Sequence, residues 1–303
     1  IFILEDFDKK QVFEIDNVTH LKSDLPKKVD RVLDSHLFEN KFFISFESRE
    51  IDNCKNFRIF EADISKEVIV FKKFFEDKSC KTILNSGRMQ DYIFDGRQGL
   101  LFSASAAIYD KPNNEPQSDV SNFGKILFKD FQTKKLSTFS KGHRLILGLV
   151  VNQDNSIIAT ENGPRGGDEI NKIIYGGNYG WPIASYGRRY DSDYEDNPLN
   201  YKEDHSSYGY KEPIFSFIPS IGISEIIKIP NEFLQNWVDN YLLASLNKRA
   251  LFRVKFDKNK EKLLFFEEIY IGSRIRDLKY SSVSKSIFLA LEDRAELGIL
   301  REK

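Results

Sequence analysis

The segment Gly163-Pro164-Arg165-Gly166-Gly167-Asp168-Glu169 gathers the residue types that let a backbone approach a ligand closely. Glycine and proline set turn geometry, so such a segment can aim main-chain carbonyls at a hard cation such as Ca²⁺. It can equally place Arg165 and Asp168 toward a ligand, or form a long hairpin connection held by an Asp168–Arg165 pair. Seven of the seventeen glycines lie within Gly163–Gly187, beside Trp181, one of two tryptophans, so the chemistry is sought here first. His143-Arg144 precede an apolar run, and arginine suits bidentate recognition of a carboxylate. Arg274 and Arg276, two apart in SRIRDL, project from one face of a strand. Two guanidiniums on one face need anionic company, either a neighbour such as Asp277 or an acidic ligand.

Other chemistries are excluded by what is missing. Gly176-Gly177-Asn178-Tyr179-Gly180-Trp181 is a turn cluster, not a dinucleotide fingerprint, because no helical pattern follows it. His20, His36 and His205 have no serine–acid or cysteine arrangement suggesting a triad. With no CxxC, no HExxH and no histidine pair at ligand spacing, a zinc site is not expected. The two cysteines, Cys54 and Cys80, are too few for a disulfide scaffold. A bond between them would close a loop of about 27 residues and contribute roughly 3 kcal/mol, and two free buried thiols is the simpler reading. A net charge of −1 with interspersed signs argues against nucleic acid as a partner. No apolar run approaches the roughly 18 residues of a membrane-spanning helix, so membrane insertion is not expected. The chain starts at Ile1 inside an apolar pattern, as a processed or truncated product would, with any export signal lying outside it.

The elements that must position these residues are strands. Runs of four to eight apolar residues rich in Phe, Ile, Val and Leu alternate with Asn/Asp/Gly/Ser/Lys turns, the pattern of short antiparallel strands. GKILFKDF, ALFRVKFD and LGILREK repeat one strand type, and a period of about 45–50 residues predicts roughly six units of propeller-blade size. A β-sandwich usually stops well short of this length. The expectation is therefore an all-β, six-bladed β-propeller of four-stranded antiparallel blades, one domain over 1–303 with an incomplete N-terminal blade. Two polar segments, 106–123 and 185–213, are too long for ordinary connections and read either as walls of a ligand site or as surface insertions.

GHR-x4-GL, ENGPRGGDEIN and GGNYGWPIASYG, in this order, resemble the soluble pyrroloquinoline quinone (PQQ)-dependent glucose/sorbosone (aldose sugar) dehydrogenase family. SLNKRALFRVKFD and SRIRDLKY extend the resemblance. VDRVLDSHLFENKFFISFES (29–48) and FGKIL (123–127) continue it more faintly. It implies a six-bladed propeller holding PQQ and Ca²⁺ over the channel mouth, oxidising an aldose at C1. It implies Arg144, Arg274 and Arg276 as cofactor contacts and the carbonyls of Gly163 and Pro164 as Ca²⁺ ligands. It implies a periplasmic or extracellular location and a small-molecule sugar or anion as partner.

The chain departs from that pattern at several positions. The family's catalytic histidine has no counterpart in NSGRMQDYIF, where its position falls at or near Gly87. The asparagine after His-Arg is Leu145, the stacking aromatic is Ile218, and the contacting lysine is Asn247 beside Lys248. General-base catalysis contributes about 10²–10⁴-fold, so its loss predicts poor turnover unless Asp91 or His36 substitutes. The other expectation is a non-catalytic propeller binding a carbohydrate, small anion or protein at the same mouth.

Overall fold

A computed structural model of the chain describes residues 2–6, 11–14, 22–23, 29–51, 54–66, 68–77, 79, 86–104, 115–188 and 201–302. Residues 106–114 and 189–200 of the two long segments singled out above lie outside the described residues, as do His20 and Cys80. The chain divides into two compact units, Ile1–Thr82 and Ile83–Lys303.

In the first unit, β1 (Phe2–Asp6) and β2 (Gln11–Glu14) form an antiparallel pair. A five-stranded sheet combines β3 (Lys22–Ser23), β4 (Val29–Phe38), β5 (Lys41–Ile51), β6 (Cys54–Asp63) and β7 (Val70–Glu76) in the order β3-β7-β6-β5-β4. Phenylalanine supplies its packing: Phe46, Phe60 and Phe71 are buried together, and Phe43 meets Phe74 edge-on at 5.2 Å. Cys54 is disulfide-bonded, which corrects the expectation of free thiols.

The second unit contains four consecutive antiparallel sheets. The first comprises β8 (Met89–Phe94), β9 (Arg97–Ala104), β10 (Lys125–Asp130) and β11 (Leu136–Lys141). The second comprises β12 (Ile146–Val151), β13 (Ile157–Glu161), β14 (Asp168–Ile173) and β15 (Phe215–Phe217). The third runs β16 (Ile223–Lys228), β17 (Asn240–Ser245), β18 (Ala250–Phe256) and β19 (Leu263–Tyr270). The fourth has three strands, β20 (Ile275–Ser281), β21 (Ser286–Leu291) and β22 (Glu296–Leu300). Neighbouring pairs follow chain order, as expected of meandering blades. Second strands such as β13 and β17 are buried on both faces, which is why they read as unbroken apolar runs. Asp95-Gly96, both with positive φ, closes β8 onto β9 in the two-residue turn that suits the strand twist.

Apolar side chains lock successive sheets face to face. Ile158, Ile170 and Phe217 of the second pack on Ile226, Leu243 and Phe252 of the third, and Leu242 and Leu251 of the third on Leu278 and Leu289 of the fourth. Each such side chain contributes about 1.5–3 kcal/mol when removed from water.

The architecture is thus all-β, of antiparallel propeller-type blades, and the expectation of six is corrected: five blades occur among the described residues, one in the first unit and four in the second. The period overcounted for two physical reasons. The described parts of the long segments after β9 and β14, 115–124 and 174–188 with 201–214, contain no named strand, and the first unit spends five strands on one sheet and two on a separate pair. Three blades have four strands; the last has three and the first unit's has five, including a parallel β3–β7 pair. Among the described residues no helix is long and apolar enough to cross a membrane.

Candidate functional site at the mouth of the second unit

In an up-and-down blade, the connection from second to third strand and the lead into the first strand lie at the same end. That end of the second unit gathers 142–145, 162–167, 218–222, 246–249, 271–274 and 292–295, which include Arg144, Gly163, Pro164, Arg165, Ile218, Asn247, Lys248 and Arg274, with Arg276 two residues on in β20.

The centre of this face is built on Glu161, the last residue of β13. Its carboxylate accepts the backbone N–H of Arg144 and meets His143 Nδ1 at 3.1 Å. His143 Nε2 lies 2.8 Å from Ser140 Oγ, and its ring stacks on Tyr179 at 4.6 Å. His143 is fully enclosed, so it braces the lead-in segment and meets no ligand. Arg144 donates through Nη1 to the carbonyl of Asn162 (2.7 Å) and to its Oδ1 (3.3 Å), and lies over the Trp181 ring at 5.4 Å. The described end of the first long segment is pinned here as well. Lys125 Nζ donates to the carbonyls of Glu115, Pro116 and Phe123, and Gln117 Nε2 reaches the Trp181 carbonyl at 2.7 Å.

The GPRGG turn is held shut rather than splayed around a guest. A Cβ on Gly163 would overlap the Gly167 carbonyl, so only glycine permits this approach. Asp168 does not pair with Arg165. Its Oδ1 accepts the Gly163 N–H at 3.0 Å, and its Oδ2 accepts those of Ile221 (3.0 Å) and Ile223 (2.8 Å). Arg165 is exposed, and its carbonyl accepts the Arg188 N–H. Beneath the turn, Arg144, Glu161, Gly163, Pro164, Glu169 and Trp181 line a cleft with room for about one water.

Glu169 and His205 form a buried pair that sequence reading missed. Asn171 Nδ2 spans Glu161 Oε2 (3.4 Å) and Glu169 Oε2 (3.2 Å), while His205 Nε2 lies 3.9 Å from Glu169 Oε1. Burial, reinforced by the Glu161 charge, pushes the Glu169 carboxyl well above the usual range, and burial lowers the His205 imidazole below 6.5. A histidine held neutral by burial stabilises the fold fully above its unfolded value. That contribution is lost as pH falls below 6.5 toward and through the depressed folded value. We expect His205→Gln to flatten the loss of stability between pH 7 and pH 5, measured by urea unfolding at each pH. A slope equal to wild type would exclude this role. Position alone hides such a residue: His205 sits in a charged, turn-rich stretch, yet is 1% exposed under the Tyr186 ring.

The arginine pair belongs to the same face. Asn247, whose backbone N–H bonds to the Ile221 carbonyl, accepts from Arg274 Nη1 at 3.4 Å, so contacts run from Asp168 through 221–222 and Asn247 to Arg274. Both guanidiniums are engaged by one carboxylate. Glu292 Oε2 lies 3.1 Å from Arg274 Nε, and Glu292 Oε1 lies 2.6 Å from Arg276 Nη2. Asp277, the neighbour expected from sequence, instead pairs with Arg88 at 3.0 Å. Hairpin register is the signal that could have found Glu292: Ser281 opposite Ser286 and Ile275 opposite Leu291 bring Arg274 beside Glu292.

These contacts test the implied groups. Ca²⁺ takes six to eight oxygens; two main-chain carbonyls are offered, that of Pro164 already accepting from Gly167, and no cluster of three acidic or histidine side chains suited to a metal occurs among the described residues. A quinone would find Arg144, Arg274 and Arg276 bound to protein acceptors, and the 63% exposed Ile218 where an aromatic is implied. Lys248 is exposed, and its backbone N–H caps onto Ser245 Oγ. Near Gly87, Ser86 Oγ lies 2.8 Å from Ser103 Oγ and Arg88 is ion-paired with Glu225, so the neighbouring side chains on its own segment are a bonded hydroxyl and a paired guanidinium. Asp91 lies four residues, about 13 Å, further along the chain in β8, and His36 belongs to the first unit. The residues present do not fit the Ca²⁺–quinone pair.

The sequence matches a family model described as Glucose / Sorbosone dehydrogenase over residues 39–301. It is 28% identical over 162 residues to the aldose sugar dehydrogenase YliI of Escherichia coli, a match covering 52% of this chain and 42% of that protein. The chain spans less than half the length of the relatives it matches in this way. In fold it is similar to a crystal structure of a glucose dehydrogenase (TM-score 0.75, 21% identity, covering 90% of this chain and 82% of that one). It is also similar to the PQQ-bound aldose sugar dehydrogenase of Streptomyces coelicolor (TM-score 0.60, 18% identity, covering 87% and 75%).

Proposed function

The chain belongs to the glucose/sorbosone dehydrogenase family, and from that premise we propose that its mouth binds a carbohydrate without performing conventional quinone-dependent oxidation. The observation that carries this reading is the base position. Gly87 has no side chain to take a proton from a sugar hydroxyl, and the groups beside it are tied up: Ser86 with Ser103, Arg88 with Glu225 and Asp277. Losing a general base lowers turnover by about 10²–10⁴-fold.

What supports a sugar as the ligand is the polar chemistry of the exposed rim of the face, where the side chains of Asn247 and Lys248 offer donors of the kind that pair with hydroxyls. The disulfide at Cys54 supports a periplasmic or extracellular setting, because such bonds persist in oxidising compartments.

The test is dye-linked oxidation of a panel of aldoses by the purified chain with PQQ and Ca²⁺, beside the E. coli aldose sugar dehydrogenase. The expected rate is at least about 100-fold below that enzyme. Turnover within tenfold of it, abolished by Arg144→Ala, would overturn the proposal.

A further inference from the structure

The arginine pair carries an inference of its own. Arg274 and Arg276 present two guanidiniums from one strand face, the arrangement that grips a carboxylate. Here the grip is already filled. Glu292 leaves β21 and gives one oxygen to each arginine, at 3.1 and 2.6 Å, while its backbone N–H donates to the Arg274 carbonyl at 2.8 Å. The carboxylate is therefore held from both its own ends, main chain and side chain. Burial pushes its carboxyl up, but the bonds and charges of Arg276 and then Arg274 more than offset this and keep it below the usual range. It is ionised at neutral pH. A second acid stands beside it: Asp293 accepts the Ser273 hydroxyl and the Arg274 N–H, and lies 3.8 Å from Arg249.

We propose that Glu292 is a resident counter-anion, filling the arginine pair so that this mouth rejects anionic ligands such as the tricarboxylate PQQ and takes an uncharged, hydroxyl-rich ligand. The proposal rests on reading this face as the ligand site. An incoming carboxylate must displace a tethered one, whose effective concentration at the arginines is millimolar or higher. It would then sit beside Glu292 and Asp293, and like charges brought together discriminate strongly against the wrong partner. The groups are each about a third exposed, so solvent weakens this repulsion. The expected discrimination is on the order of 10–100-fold rather than absolute, about one to two steps of 1.4 kcal/mol.

The experiment is equilibrium dialysis of PQQ against the full chain in Ca²⁺ buffer, for wild type, Glu292→Gln, Glu292→Thr and the double variant Glu292→Gln/Arg274→Ala. Each protein is checked for folding by urea unfolding, and the two single variants guard against one failing to fold. Wild type is expected to show no saturation below about 100 μM, both single variants to bind at least tenfold more tightly, and the double variant to lose the gain. Micromolar binding by wild type, or no gain in either folded single variant, would overturn the role of Glu292. A parallel titration of wild type with uncharged aldoses, followed by ligand-observed NMR, tests the site reading separately. A PQQ gain without any sugar binding would leave Glu292 as an anion filter and remove the sugar.

Discussion

Replacing Asp168 with alanine is expected to remove about 3–5 kcal/mol of folding stability, among the largest effects a single substitution produces. Its two oxygens accept three backbone N–H groups, from Gly163, Ile221 and Ile223, in a place no solvent reaches. Truncation strands three buried donors, each carrying a penalty of about 1–3 kcal/mol, and relief from burying a carboxylate offsets part of the total. Burial pushes the Asp168 carboxyl up, against the pull of bonds led by Ser220 and Ile223. A raised value means its contribution is complete below the unfolded value and declines as pH rises through the folded one. Mild acid therefore does not unseat it. Urea unfolding gives the stability change, and hydrogen exchange at the amides of Gly163, Ile221 and Ile223 gives its location. A loss below 1 kcal/mol with unchanged exchange would show that the turn and the 218–223 segment hold together without this bridge.

The same residue illustrates what could be read from sequence. The GPRGGDE turn stood out because glycine and proline mark unusual backbone, and the structure gives the physical reason at Gly163, where any Cβ would strike the Gly167 carbonyl. The role of Asp168 was not legible, since its partners at 221 and 223 lie on another blade and no local pattern points to them. Strands buried on both faces, such as β9, β13 and β17, were plain apolar runs. β4 (VDRVLDSHLF) and β11 (LSTFSK) are not apolar runs, because they keep polar side chains in solvent and break the apolar rhythm. The blade count failed where length was converted to repeats, because the described sheets are unequal, one taking five strands and another three. Arg274 and Arg276 were legible as a pair in want of an anion; that the anion is Glu292 depended on a hairpin register that had to be drawn out.

Arg88 is the other position where a large effect is expected. Three first strands meet at its guanidinium: Nη1 lies 2.7 Å from Glu225 Oε2 on β16 and 3.0 Å from Asp277 Oδ2 on β20. The fourth first strand makes room for this centre, because a Cβ on Gly148 of β12 would crowd Glu225 Oε1 and the Ile226 amide. Arg88 and Glu225 are both buried, whereas the Asp277 side chain is 42% exposed and keeps water as an alternative partner. Removing the arginine thus leaves chiefly Glu225 as an uncompensated buried charge. Arg88→Met, which preserves much of the volume, is expected to lose about 3–5 kcal/mol in urea unfolding. The double replacement Arg88→Met/Glu225→Met removes the stranded charge and is expected to recover most of that loss, because apolar pairs of similar size often replace buried ion pairs at no net penalty. The two single variants and the double close a cycle whose coupling energy isolates the pair from packing. If Arg88→Met loses less than 1 kcal/mol, the first strands of the second unit are held by their apolar faces alone, and the ion pair is incidental to how the blades meet.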